Sequence, residues 1–204
     1  MILTVLALCI LIFLVFLIFE RTHPSAQKLV LLALLCSFVT VGRVIFVFFP
    51  LFSPAIGMII LFSICTNPLE GFLIGSVSVL ASNFIFGQGT WTVFQMFAYG
   101  IAGFFSAFLR PLFFNQKKSV SYLTARIIGL AVFGFFLVMC ITGPILDMSG
   151  FFFMGTNDIS YIKVLILGGI PFNISTAVST SITILLLSNP VFFEMKRLEK
   201  KLGV

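Results

Sequence analysis

A chain of 204 residues that is 60% hydrophobic and 9% charged, with a mean hydropathy of +1.24, carries more apolar surface than a soluble domain of that size can bury. The composition excludes a water-soluble enzyme and implies a polytopic membrane protein, all-α and built as one helix bundle. The net charge of +6 sits in short linkers and a tail, with no polar basic face, so it reads as orientation and lipid contact; nucleic acid is not an expected partner.

Ile2 to Phe19 is a nearly uniform apolar run, long enough for one span. It lacks a basic leading segment and an obvious small-residue cleavage site, so a retained helix is expected and not a signal peptide. The polar linker ERTHPSAQK, Glu20 to Lys28, follows, and residues 1–25 are set apart as an extra N-terminal helix with linker. The second span runs from about Ala26 to Phe49. It carries Ala33 and Ser37, a small pair four residues apart that lets another helix approach closely, and Arg43 near its end. That guanidinium either snorkels to the membrane edge or takes a partner inside the bundle. Pro50 and Pro54 break the helix, and Pro54 to Thr66 is a short apolar run that either spans with a kink or stops part-way.

Gly71 to Phe86 is the next span, with Gly71, Gly75, Ser78 and Ser82 forming a small-residue packing face. Asn83 to Gly103 follows, NFIFGQGTWTVFQMFAYGIAG, the stretch around which the chain is organised. It lies between apolar runs yet holds Asn83, Gln88, Trp91, Thr92, Gln95 and Tyr99. Such groups are costly to bury unpaired in hydrocarbon, so they face a protein interior or a polar cavity. Gly87 and Gly89 bracket Gln88 in a turn, and Trp91, Gln95 and Tyr99 recur every four residues along one helix face. A small organic ligand with rings and polar edges suits that face; a self-satisfied re-entrant turn is the other reading.

A linker with Arg110, Lys117 and Lys118 leads to a span from about Val120 to Ile141, which Gly143-Pro144 is expected to end. The longest connection, about Pro144 to Ser160, holds Asp147 and Asp158 and an apolar centre, Phe151 to Met154, suited to a lid. The last span, about Tyr161 to Leu187, contains Pro171 and Asn173. Asn173 is placed to bond carbonyls freed at a proline kink, or a ligand. Residues 190–204 are a basic cytoplasmic tail with the pattern of an interfacial helix, leaving 26–189 as the solute-binding domain.

Seven alternating spans place Arg21, Lys28, Arg110, Lys117, Lys118 and the basic tail on one side. That side is cytoplasmic, which puts the N-terminus outside and the C-terminus inside a cell membrane. The polar turn, Arg43 and the acidic connection then share the outer side. Four cysteines (Cys9, Cys36, Cys65 and Cys140) lie in apolar runs without metal-ligand spacing, and His23 is the sole histidine. No zinc-protease, nucleotide-loop or paired-carboxylate motif is present. Neither a metal, a cofactor nor an enzymatic activity is therefore expected. No span is expected to hold a carboxylate well inside, which argues against a self-powered ion-coupled carrier.

Residues 42–50 (GRVIFVFFP), 66–104 (TNPLEGFLIGSVSVLASNFIFGQGTWTVFQMFAYGIAGF) and 171–180 (PFNISTAVST) resemble the substrate-binding S-components of energy-coupling factor (ECF) vitamin transporters. The resemblance covers about residues 28 to 187 and is strongest in Asn83 to Gly103. It implies a six-helix core, an outward-facing pocket and capture of a vitamin, with cobalamin or a corrinoid precursor favoured. It also implies association with a membrane coupling subunit and two cytoplasmic ATPase subunits that power the cycle. Carried onto this sequence, the ligand face falls on Arg43, Asn83, Gln88, Trp91, Gln95, Tyr99 and Asn173. The coupling-subunit contact falls on Ala33 and Ser37. The helix at Ile2 to Phe19 is additional to the core, and Ser37 stands where a second alanine is usual. An autonomous small-solute carrier or channel is the competing expectation; a channel requires a polar lining across the whole bundle.

Overall fold

The computed structural model describes residues 2–49, 52–114, 120–154 and 160–202. Every regular element among them is helical: α1 (Ile2–Glu20), α2 (Ala26–Ile45) with a 3-10 turn at Phe46–Phe48, α3 (Ala55–Ile64), α4 (Pro68–Phe86) and α5 (Thr90–Ala107). They continue as α6 (Arg110–Phe114), α7 (Val120–Leu137), a π-helical turn at Val138–Thr142, α8 (Gly143–Met154) and α9 (Ser160–Leu202). The fold is an all-α bundle. Five of its helical stretches are long and apolar enough to cross a membrane, α1 among them.

The short run after Pro54 is the centre of the bundle. With 10 residues, α3 is about 15 Å long. All of it except Met58 is buried, packed against α2, α4, α5, α7 and α9. The chain leading into α3 is stitched to α9 by one side chain. Ser179 Oγ donates to the Ser53 carbonyl at 2.6 Å and accepts from the Ser53 amide at 3.1 Å. Irregular backbone at this depth needs such partners, because hydrocarbon supplies none. By contrast α1 lies at the periphery against α4 and α5, with 6% of its span buried.

Two expectations change. Gly143-Pro144 does not end a helix, and residues 144–154 are not a loop. The backbone widens into the π-turn, where the Gly143 amide bonds the Val138 carbonyl, and the helix continues through Pro144 to Met154. A widened turn relieves the clash of a proline ring with the preceding turn, which is why this pair of helix breakers does not break. Phe151 to Met154 is accordingly the end of α8; Asp158 lies outside the described residues, as do Lys117 and Lys118. Nor do residues 190–202 form a separate surface helix. α9 passes through Pro171 and Pro190 over 43 residues, about 65 Å, more than the roughly 40–45 Å of a bilayer with its headgroups. Its last turns stay on the core: Phe192 and Met195 are buried, and the Phe192 ring lies 5.1 Å from that of Phe113 in α6.

The tightest packing is between α4 and α5. A Cβ built on Gly71 would lie 2.6 Å from the Gly103 carbonyl oxygen, and one on Gly75 would overlap the Tyr99 carbonyl. Ser76 Oγ donates across the same seam to the Met96 carbonyl at 2.9 Å. Small residues here let two backbones meet, so dispersion and a hydroxyl bridge hold helices that lipid would otherwise separate. Gly75→Val should therefore lower the thermal midpoint in detergent, with a cost of about 1–3 kcal/mol or more. Gly129→Ala, at an exposed helical glycine with nothing within 4 Å, should raise it by about 0.5–1 kcal/mol. Equal midpoints for Gly75→Val and the parent would remove the seam from this role.

Candidate functional site

A cavity of about 320 Å³ opens at the end of the bundle where α2 and α4 finish and α3 and α5 begin. The α7–α8 junction and α9 close its far side. Its wall is largely apolar, with Phe46, Phe49, Phe52, Phe86 and Phe172 among its members. Against that background polar residues converge: Arg43 from α2, Ser53 before α3, Gln95 and Tyr99 from α5, Thr142 from the π-turn, and Asn173 and Thr176 from α9.

Arg43 is half-buried in the last turn of α2 and neither snorkels away nor points to lipid. Its Nη1 donates to Ser82 Oγ at 2.6 Å and to Asn83 Oδ1 at 3.0 Å. The guanidinium carbon stands 5.2 Å from the Phe86 ring centroid and 5.8 Å from that of Tyr99, within reach of the attraction between a cation and an aromatic face. Among the described residues no carboxylate forms an ion pair with it.

Asn83 is 1% exposed and joins α2 to α5. Its Nδ2 donates to Thr92 Oγ1 at 3.2 Å and Gln95 Oε1 at 2.8 Å. The orientation of this amide follows from chemistry. A guanidinium only donates, so Asn83 turns its oxygen to Arg43 and its nitrogen to α5; Gln95 must then present its oxygen to Asn83 and keep its NH2 on the other side.

On the opposite wall Asn173 Nδ2 donates to Asp147 Oδ2 at 2.7 Å. The amide thus serves a carboxylate, where sequence suggested a kinked-helix carbonyl. Gly143 and Gly169 make room for this pair: a Cβ on Gly143 would lie 2.6 Å from Asn173 Cγ, and one on Gly169 would overlap the Asp147 carboxylate.

Of the residues singled out in sequence, Arg43, Gln95, Tyr99 and Asn173 line the cavity, while Asn83 stands behind the wall and holds two of them. Gln88 and Trp91 lie outside the lining. Gln88 is exposed and folds back, its Nε2 donating to the Leu80 carbonyl at 3.3 Å near the end of α4. Trp91 is 37% exposed, its ring against Gly89. Ala33 and Ser37 occupy the exposed face of α2, with Ser37 Oγ donating to the Ala33 carbonyl at 2.8 Å.

Sequence reasoning missed Thr142 and Thr176 as lining residues and Ser82 as the closest partner of Arg43. A hydroxyl one position before Asn83 was a usable signal for Ser82. Thr142 is fully buried in the π-turn, which spacing did not announce. It also missed a second polar cluster at the other end of the bundle. There Glu70, 4% exposed, pairs with Lys28 Nζ at 2.5 Å, accepts from Asn67 Nδ2 at 2.5 Å and closes the capping box that starts α4. Asp147, expected in a connection, instead stands near the end of the helical stretch Thr124–Phe151, and Glu70 in the first turn of α4, so both carboxylates lie toward helix ends.

No known protein family, characterised protein or solved structure matches this chain.

The relay generates one prediction. Asn83→Leu keeps the volume but strands one donor contact of Arg43 and the oxygen of Gln95, so it should destabilise the protein by about 2–4 kcal/mol. Ser106→Ala, which removes a hydroxyl bonded to the Ala102 carbonyl of its own helix, should cost well under half of that, at most about 1 kcal/mol. Unfolding midpoints in detergent measure both; similar losses would show that Asn83 is an ordinary buried polar residue.

Proposed function

We infer that this chain is a solute-binding membrane subunit that captures a small vitamin-like molecule and has no catalytic role. The supporting observation is the polar quartet Arg43, Gln95, Tyr99 and Asn173 gathered on one cavity in an otherwise oily bundle. Ligand pockets are mostly apolar concavities with a few convergent polar groups, and polar side chains at membrane depth lean toward function. The bundle's other end carries Lys28, Arg110 and the basic last turns of α9. On the positive-inside rule that end is cytoplasmic and the cavity faces out, with the N-terminus outside. A volume of about 320 Å³ sits at the lower end of the range for ligand sites, roughly 300–1,000 Å³, and favours a one- or two-ring solute over a corrinoid.

Delivery is the second part of the proposal. The buried plug of α3 fills the bundle beneath the cavity, which disfavours a channel. Transfer inward then requires movement of the whole subunit, as in ECF-type importers, driven by a membrane coupling subunit and two ATPase subunits. The exposed small pair Ala33 and Ser37 on α2 is the proposed contact for the coupling subunit. One observation favours the autonomous carrier instead: Asp147, expected in a loop, stands in a spanning helix beside the cavity-lining Leu146, where a proton-coupled carrier needs a carboxylate.

Mass spectrometry of the protein purified alone should reveal one small organic molecule bound in near-stoichiometric amount; purification without any such molecule, and no binding from a metabolite extract, would end the solute-binding reading. Ala33→Trp should leave that binding unchanged while abolishing uptake in cells. Uptake by the parent in proteoliposomes without ATPase subunits, driven by a pH gradient, would select the autonomous carrier.

A further inference from the structure

We propose that the cavity selects organic anions: planar solutes carrying a carboxylate or phosphate that is held by Arg43 and Gln95. The inference rests on the solute-binding reading and adds the chemical class of what is bound.

Arg43 supplies a permanent positive charge in a low-dielectric setting. Its two hydrogen bonds go to neutral acceptors, Ser82 and Asn83, through a single nitrogen, Nη1. The fork of the guanidinium carries further N–H groups, and no carboxylate pairs with it among the described residues. Desolvated charge of this kind is costly unless an opposite charge completes it. The amide relay then decides what stands beside it. Because Arg43 can only donate, Asn83 offers its NH2 to Gln95, and Gln95 accepts through Oε1 at 2.8 Å. The Nε2 group of Gln95, a cavity-lining residue, is thereby left as a donor. Two donor groups on one corner, one of them cationic, recognise anionic oxygens and repel ammonium groups.

The remaining walls narrow the class further. Phe46, Phe86, Tyr99 and Phe172 line the cavity with aromatic rings, a wall that suits a flat apolar body. Across the cavity Asn173 turns its NH2 toward Asp147, which fixes the amide and leaves its Oδ1 as an acceptor for the solute. That oxygen accepts from an N–H or O–H at the end of the molecule remote from the acid.

The test compares matched acid and neutral probes on the full-length protein in detergent, by saturation-transfer NMR: benzoate with benzamide, indole-3-acetate with indole-3-acetamide, and phenyl phosphate with phenol. At least one acid should bind about tenfold or more tightly than its neutral partner. The carboxylate and phosphate arms distinguish which oxyanion the corner takes. Arg43→Gln should erase the preference. Should that variant fail to fold, Gln95→Glu retains the acceptor for Asn83 and replaces the NH2 by an acidic oxygen; it should weaken the same acid by about tenfold or more. Neutral probes binding as well as or better than their acids, no acid binding above the variants, or an acid preference untouched in a folded variant would each overturn the inference. The solute-binding reading is decided separately, by the molecule that co-purifies: a neutral or cationic one sinks anion selection alone.

Discussion

The backbone-to-backbone contact of α4 and α5 is the constraint from which the rest follows. Gly71 and Gly75 meet Gly103, Gly100 and the Tyr99 carbonyl with no side chain between them. In lipid there is no hydrophobic drive to bring two helices together, so closeness must come from small residues and the dispersion they permit. The close seam has a consequence one turn further on. It brings Asn83 at the end of α4 against Thr92 and Gln95 at the start of α5. A wider seam would leave these amides facing hydrocarbon, at a cost of several kcal/mol each.

The polar site is thus the continuation of a packing face. Where the small residues stop, the helices splay, and the space between them and α9 becomes the cavity. Arg43 closes the arrangement from α2, and its charge orients every amide on its side. A neutral residue there would leave Asn83 and Gln95 free to flip, and the pocket would lose its fixed donor pattern. Rigidity of this kind is what a binding site needs in order to prefer one solute over another.

Much of this was legible in the sequence because its signals are local. Small residues at four-residue spacing gave the seam, alternating basic linkers gave the two ends, and amides amid apolar residues marked the polar face. What failed did so for physical reasons that spacing does not carry. Gln88, between two glycines, is an attractive ligand residue, yet it folds back from the turn and its amide donates to the Leu80 carbonyl of the preceding helix. Trp91 shares a helical stripe with Gln95 and Tyr99 but sits a turn beyond the cavity, where its ring covers Gly89. Gly143-Pro144 reads as a stop; a π-turn absorbs the proline and turns an expected loop into the helix that carries Asp147. Pro190 is passed without a break in α9, and Phe192 and Met195 beyond it bury against the core.

The short helix α3 sets the last step. At about 15 Å it is shorter than the roughly 30 Å hydrocarbon core of a bilayer, yet all of it except Met58 is buried. Its place beneath the cavity means that a solute bound near Arg43 meets Ile56 and then the packed core around Ile59 and Ile60. Opening a path through that core would separate α3 from five neighbouring helices at once. Interiors packed to this density switch between discrete arrangements and do not yield gradually. On the proposed function, a solute held there would stay on one side unless the protein moved as a body, and the sparsely buried faces of α1 and α2 are the surfaces proposed for such movement or for a partner that drives it.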